Sequence, residues 1–218
     1  MLLVALALAV RVGCGRAPTA PVSSARGPAG PSSGEGGVSG EMLAAGRAPE
    51  PLGARLTSIA GSLVDQDGRT RTLAEWRGSP FIASPIYTRC PLVCPRVVGE
   101  LKRLERDLPA GEAPHVLLLS LDPANDTPEA LRAFAAEHVL ERTHWALLAP
   151  DTSMLAAITA ALGVAWRSEG GAIGHSAVVA IVDGAGRIRR RFVGLEADPA
   201  ALAAAWREAR LARASEPD

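Results

Sequence analysis

Between Phe81 and Leu162 short apolar runs alternate with helical patterns, and this alternation restricts the fold more than any other feature. Phe81–Ile86 and His115–Ser120 are nearly continuous apolar segments, too short for ordinary helices and suited to strands buried on both faces. Trp145 to Ala149 reads as a third strand. After the first run, Val97, Leu101, Leu104 and Leu108 recur at helical spacing with Lys102, Arg103, Arg106 and Asp107 between them, an amphipathic period. After the second, Thr127 caps a helix with Pro128 at its first position, and Leu131, Phe134, Ala135, His138 and Val139 form its inner face. After the third, Asp151 caps a helix running to about Leu162. Repeated strand–helix units of this kind build an α/β domain with a partly parallel sheet.

Hairpins flank the repeat. Leu56–Val64 reads as a strand, Asp65-Gln66-Asp67-Gly68 as a turn, Arg69–Leu73 as the returning strand, and Leu73–Trp76 as a short helical turn closed by Gly78. Ser176–Val182 and Arg187–Val193 form a second hairpin around Gly184–Gly186, and Pro199 to about Leu211 is a closing helix. Arg187, Arg189 and Arg191 alternate along the last strand and so share one face of an edge, where charge discourages aggregation. Trp145 and Trp166 read as packing residues.

Cys90 and Cys94 fall between the first buried run and its helix, in Tyr87-Thr88-Arg89-Cys90-Pro91-Leu92-Val93-Cys94-Pro95. A thiolate at a helix N-terminus is favoured by the exposed N–H groups and the macrodipole. Two thiolates one turn apart can close a disulfide or hold a soft metal. A cysteine pair at a strand-to-helix junction looks like the thioredoxin-like fold, with the N-terminal hairpin as an extension and one helix inserted. Thioredoxin-type motifs carry two residues between the cysteines, and this one carries three. A structural zinc site would draw four ligands, often from two knuckles. Two thiolates with one imidazole suit Cu(I), and with a further donor Cu(II).

Of the four histidines, His115, His138 and His144 read as surface or core-edge residues. His175 differs. It ends Gly170-Gly171-Ala172-Ile173-Gly174-His175, a glycine-rich approach to a late strand, and glycines let a backbone come close to another element. In thioredoxin-like folds the loop before this strand faces the cysteine pair.

The N-terminal region has a different character. Leu2–Val10 is apolar, shorter than the roughly 20 residues that span a bilayer but long enough for the core of an export signal. Arg11-Val12-Gly13-Cys14 then resembles a bacterial lipobox, with Cys14 the lipidated residue. It departs from that pattern at Arg11, and no basic residue precedes the apolar run. Residues 1–14 are therefore read as a signal or anchor. Residues 15–51, rich in Gly, Pro, Ser and Ala, are read as a disordered tether that cannot bury enough surface to offset its ordering entropy. Residues 52–213 are the folded domain, and 214–218 a tail. The formal net charge is zero, so no nucleic-acid partner is expected.

The cysteine segment, together with Ser120-Leu121-Asp122-Pro123, Asp126-Thr127-Pro128-Glu129 and His175-Ser176, resembles the Sco/SenC family of copper-binding assembly factors. The motifs occur in family order and the resemblance runs from about Leu56 to Trp206. It implies a thioredoxin-like domain, membrane-tethered on the outer face of the bacterial inner membrane. It implies copper, as Cu(I) or Cu(II), held by Cys90, Cys94 and His175, with Asp122 close behind the ligands or facing a partner. The implied partners are the copper-bearing subunit of cytochrome c oxidase or another copper protein, and a thiol reductant for the pair. The implied role is a metallochaperone rather than an enzyme. A thiol–disulfide oxidoreductase that keeps oxidase cysteines reduced is the alternative, ahead of a peroxidase-like member of the same fold or a plain stabilising disulfide. Leu92 stands where many family members carry Asp, Gly174 where an acidic or polar residue often precedes the histidine, and Pro85 interrupts the strand before the motif.

Overall fold

A computed structural model describes residues 52–169, 172–195 and 197–212. The segment read as a signal or anchor, Cys14, the segment read as a tether, and the 214–218 tail lie outside the described residues.

The strands are β1 (Leu63–Asp65), β2 (Thr70–Arg71), β3 (Phe81–Ile86), β4 (His115–Ser120), β5 (Trp145–Pro150), β6 (Trp166–Glu169), β7 (Ala172–His175), β8 (Val178–Val182) and β9 (Ile188–Val193). The helices are α1 (Val93–Asp107), α2 (Pro128–Glu137), α3 (Thr152–Leu162) and α4 (Pro199–Leu211). Seven strands form one sheet in the order β2-β1-β5-β4-β3-β8-β9, and β6 and β7 form a separate hairpin. β3, β4 and β5 run parallel at the centre, and the flanking pairs are antiparallel. This is the thioredoxin-like α/β arrangement, with β1 and β2 as the N-terminal extension.

The burial of β3 and β8 on both faces follows from helices covering both sides of the sheet. Alternate residues of β4 feed two cores. Val116 and Leu118 join Val97, Leu101 and Leu104 of α1, Leu131 and Phe134 of α2, and Trp206 of α4. Leu117 and Leu119 join Met154, Ile158 and Leu162 of α3. Pro85 is accommodated inside β3. Thr127 and Asp151 cap α2 and α3 as expected, accepting from the N–H groups of Ala130 and Met154.

Four local expectations are revised. Of the first predicted strand only Leu63 and Val64 lie in β1, which runs on to Asp65, because Leu56–Ser58 forms a 3-10 turn with Leu56 and Thr57 buried. Residues 172–175 belong to the β6–β7 hairpin, so β8 begins at Val178. A bulge at Ile181/Val182 interrupts the β8–β9 register, so Arg189 has no cross-strand partner and the arginine alternation is broken. Val139 lies past the end of α2 with φ 51° and is exposed, and Leu140 is buried in its place.

That end of α2 is held from α1. Lys102, the chain's only lysine, donates to the carbonyl oxygens of His138 (2.6 Å) and Val139 (3.2 Å). A cation there complements the negative end of the helix dipole. Lys102→Met is expected to cost about 1.5–3 kcal/mol, as for hydrogen bonds to charged groups. The change would be read as a lower urea midpoint at unchanged slope.

Candidate metal centre

β3 ends at Ile86, and the chain turns at once, the N–H of Cys90 donating to the carbonyl of Tyr87 (3.1 Å). α1 then starts at Val93 with Leu92 as its N-cap. Leucine has no oxygen to offer the first amides, and no side-chain cap is formed. The sulfur of Cys90 fills that role, accepting from the N–H of Cys94 at 3.3 Å. Pro95 sits in the first helical turn, where a missing N–H costs nothing.

The two cysteines are buried and neither forms a disulfide. Their environments push them apart. Burial opposes charge on Cys90, but the amides of Cys94, Leu92 and Val93 overcome it and hold that thiol below its ordinary pKa. Cys94 is 1% exposed, and burial pushes its thiol far above the ordinary range. The neighbouring Cys90 and Asp126 add to that shift, while the backbone of Tyr87 opposes it.

His175 ends β7, and its neighbour Ser176 donates its N–H to Ala165 (3.0 Å), which fixes the hairpin's exit. The imidazole Nδ1 lies 3.0 Å from the carbonyl oxygen of Ser176. That oxygen can only accept, so the bond places the proton on Nδ1 and leaves the Nε2 lone pair free. Nε2 lies 4.0 Å from Cys94 Sγ, across 81 positions of sequence. Burial lowers the pKa of His175, against its bond to Ser176, and so favours the neutral, ligating form.

The two sulfurs and an imidazole nitrogen all lie within 4.8 Å of one another. A metal held about 2.3 Å from sulfur and about 2.0 Å from nitrogen keeps its donors within about 4.6 Å of each other. Three donors spread evenly around one ion lie about 3.7–4.0 Å apart, so shifts of under about 1 Å would close the cluster. Two thiolates and an imidazole are the soft and borderline donors that suit copper.

Asp122 does not reach the sulfurs. Its carboxylate pairs with Arg89 (2.7 Å), the residue before Cys90, and accepts from Asn125 (2.8 Å). The carboxylate that grips the cysteine loop is Asp126. It is 1% exposed and accepts from the N–H (3.1 Å) and hydroxyl (2.6 Å) of Thr88 and from the hydroxyl of Ser120. Its place at the head of Asp126-Thr127-Pro128-Glu129 was the available signal. Tyr87, the chain's only tyrosine, packs edge-on against His175 with ring centroids 5.8 Å apart. Burial and the adjacent Cys90 push its hydroxyl up to about 12. Trp166, expected to pack, is the cross-strand partner of His175 and remains 40% exposed.

The SCO1/SenC family profile matches residues 52–210. The chain belongs to the SCO1/SenC family. A SCO1 protein homolog of Bacillus subtilis is 32% identical over 85 residues, which are 38% of this chain and 44% of that relative. The chain covers 44% and 64% of the length of the two curated relatives it matches. A solved Aquifex aeolicus structure described as an electron-transfer protein is 27% identical, covers 73% of this chain and 95% of its own, and superposes with a TM-score of 0.67. Bradyrhizobium japonicum ScoI, solved with copper bound, is 23% identical, covers 73% of this chain and 99% of its own, and has a TM-score of 0.55.

The opposed thiol shifts set an order of reactivity. A depressed pKa gives Cys90 a larger thiolate fraction than Cys94 at any given pH, and the thiolate is the reactive form. Iodoacetamide at pH 7 should therefore modify Cys90 well before Cys94, as read by peptide mass spectrometry. Equal rates at the two positions would contradict the amide stabilisation of Cys90.

Proposed function

We propose that this protein is a copper metallochaperone that holds one copper ion on Cys90, Cys94 and His175. The observation that carries this reading is the convergence of those three donors, from two distant segments, within 4.8 Å. Copper is cargo here, and the protein's residues receive, hold and release it. Cys90 approaches the ion already stabilised as thiolate by the α1 amides. Cys94 carries a proton until the ion arrives, because burial disfavours its charge. His175 presents a neutral Nε2, its tautomer set by Ser176. Loading therefore releases the Cys94 proton, and copper affinity should rise with pH. Oxidation of the pair to a disulfide would remove two donors, so the redox state would decide whether the site can load.

Family membership supports delivery to the binuclear copper centre of cytochrome c oxidase, with its copper-bearing subunit or another copper protein as recipient. The sequence of residues 1–51 supports export and tethering on the outer face of the bacterial inner membrane, with Cys14 the candidate lipidation site. Among the described residues no helix is long and apolar enough to cross a membrane.

Anaerobic titration of the reduced chain is expected to give one copper per protein. His175→Ala should weaken binding by at least tenfold, and Cys90→Ser and Cys94→Ser by more. If His175→Ala binds as tightly as the parent, the three-donor site is wrong.

A second reading, thiol–disulfide oxidoreductase, is favoured by one observation. The environment lowers the Cys90 thiol pKa and raises that of Cys94, the asymmetry that disulfide exchange uses. In that reading the Cys90 thiolate attacks a substrate disulfide, Cys94 resolves the mixed disulfide, and a thiol reductant restores the pair. Reduction of an oxidase-peptide disulfide that is lost in Cys94→Ala and retained in His175→Ala would select this function. Absence of turnover would remove it.

A further inference from the structure

His115 and His144 stand at the end of the sheet opposite the cysteines. Val116 and Trp145 are register partners in the parallel β4–β5 pair, and the N–H of Val116 donates to the carbonyl of His144 (2.7 Å). The residues before them therefore enter the sheet side by side. Their ring centroids are 6.0 Å apart with the planes tilted by 57°. His115 is exposed and His144 is partly exposed, so water and ions reach both.

Glu105 of α1 completes the arrangement. One carboxylate oxygen lies 3.5 Å from Nδ1 of His144, and the other accepts from the indole N–H of Trp145 (3.2 Å). Trp145 is almost fully buried, so the carboxylate is held by a rigid partner. A carboxylate within ion-pair reach of Nδ1 favours a proton on that nitrogen and leaves Nε2 to face a metal. An imidazole bound through nitrogen at about 2.0–2.1 Å puts its ring centre roughly 3.2 Å from the ion. Two such rings on one ion are at most about 6.4 Å apart, and the observed 6.0 Å fits within that limit.

We propose that His115 and His144 form a second metal site, a two-imidazole site for a borderline divalent cation, with Glu105 orienting His144. Nitrogen donors of this kind take Cu(II), Zn(II) or Ni(II), and Cu(II) most tightly. The site is independent of the thiols, separated from them by the length of β4, roughly 17 Å. It offers no sulfur, so it would favour the oxidised ion and remain available when Cys90 and Cys94 are joined.

The test uses the full chain carrying Cys14→Ser, Cys90→Ser and Cys94→Ser, titrated with Cu²⁺ at pH 7. The expected result is one Cu²⁺ per chain with a nitrogen-ligated electron paramagnetic resonance spectrum. His115→Ala and His144→Ala should each weaken binding by at least tenfold, and Glu105→Gln by about tenfold. A readout on the same chain without histidine substitutions guards against a folding defect. Substoichiometric Cu²⁺ should broaden the imidazole resonances of His115 and His144 before those of His138 and His175. Binding unchanged in both histidine variants, or first broadening at His175 or His138, overturns the proposal.

Discussion

The first turn of α1 is the constraint on which the candidate centre depends. Its amides need an acceptor, and Leu92 at the N-cap supplies none. Cys90 Sγ meets that need, which stabilises the thiolate and fixes its position in one step. Helix formation and the chemistry of the site are therefore the same interaction. Any change that displaces the Tyr87–Cys90 turn removes both.

That turn is held from behind. The buried Asp126 joins Thr88 to Ser120, at the end of the neighbouring parallel strand. Arg89 is drawn to Asp122 in the same loop. The β3 and β4 ends thus form one rigid ledge. The cost of burying the Asp126 carboxylate is offset by its three donors. On the far side, the β6–β7 hairpin carries His175 to the ledge, with Tyr87 packed against its ring. Two separately anchored pieces of backbone meet where the donors converge.

The same sheet carries polar clusters at both ends. At the C-terminal end of the parallel strands lie two sulfurs and one imidazole, buried or half-buried. At the N-terminal end lie two more exposed imidazoles and a carboxylate. The donor types differ in softness, so the two ends favour different oxidation states of a copper-like ion.

Much of this was legible in the chain itself. The apolar runs Phe81–Ile86 and His115–Ser120 are strands with the bounds their sequence suggests, because residues buried on both faces leave an uninterrupted hydrophobic signal. The caps Thr127 and Asp151, and the α1 stripe, were equally plain, since they depend on interactions within a few residues. The placement of Cys94 in the first turn of α1 followed from the same local rules. What local patterning could not decide were the contacts made across the fold. Val139 fell off the α2 face because the helix stopped two residues earlier, and the β9 arginines lost their alternation to a bulge. Asp122 and Asp126 stand in neighbouring motifs with the same chemistry, and only the packing of β3 against β4 distinguishes the ion pair from the buried clamp. The 4.0 Å approach of His175 to Cys94 spans 81 positions. Short-range sequence rules fade within a turn or a strand, and a separation of that length is set by how sheet and hairpin pack.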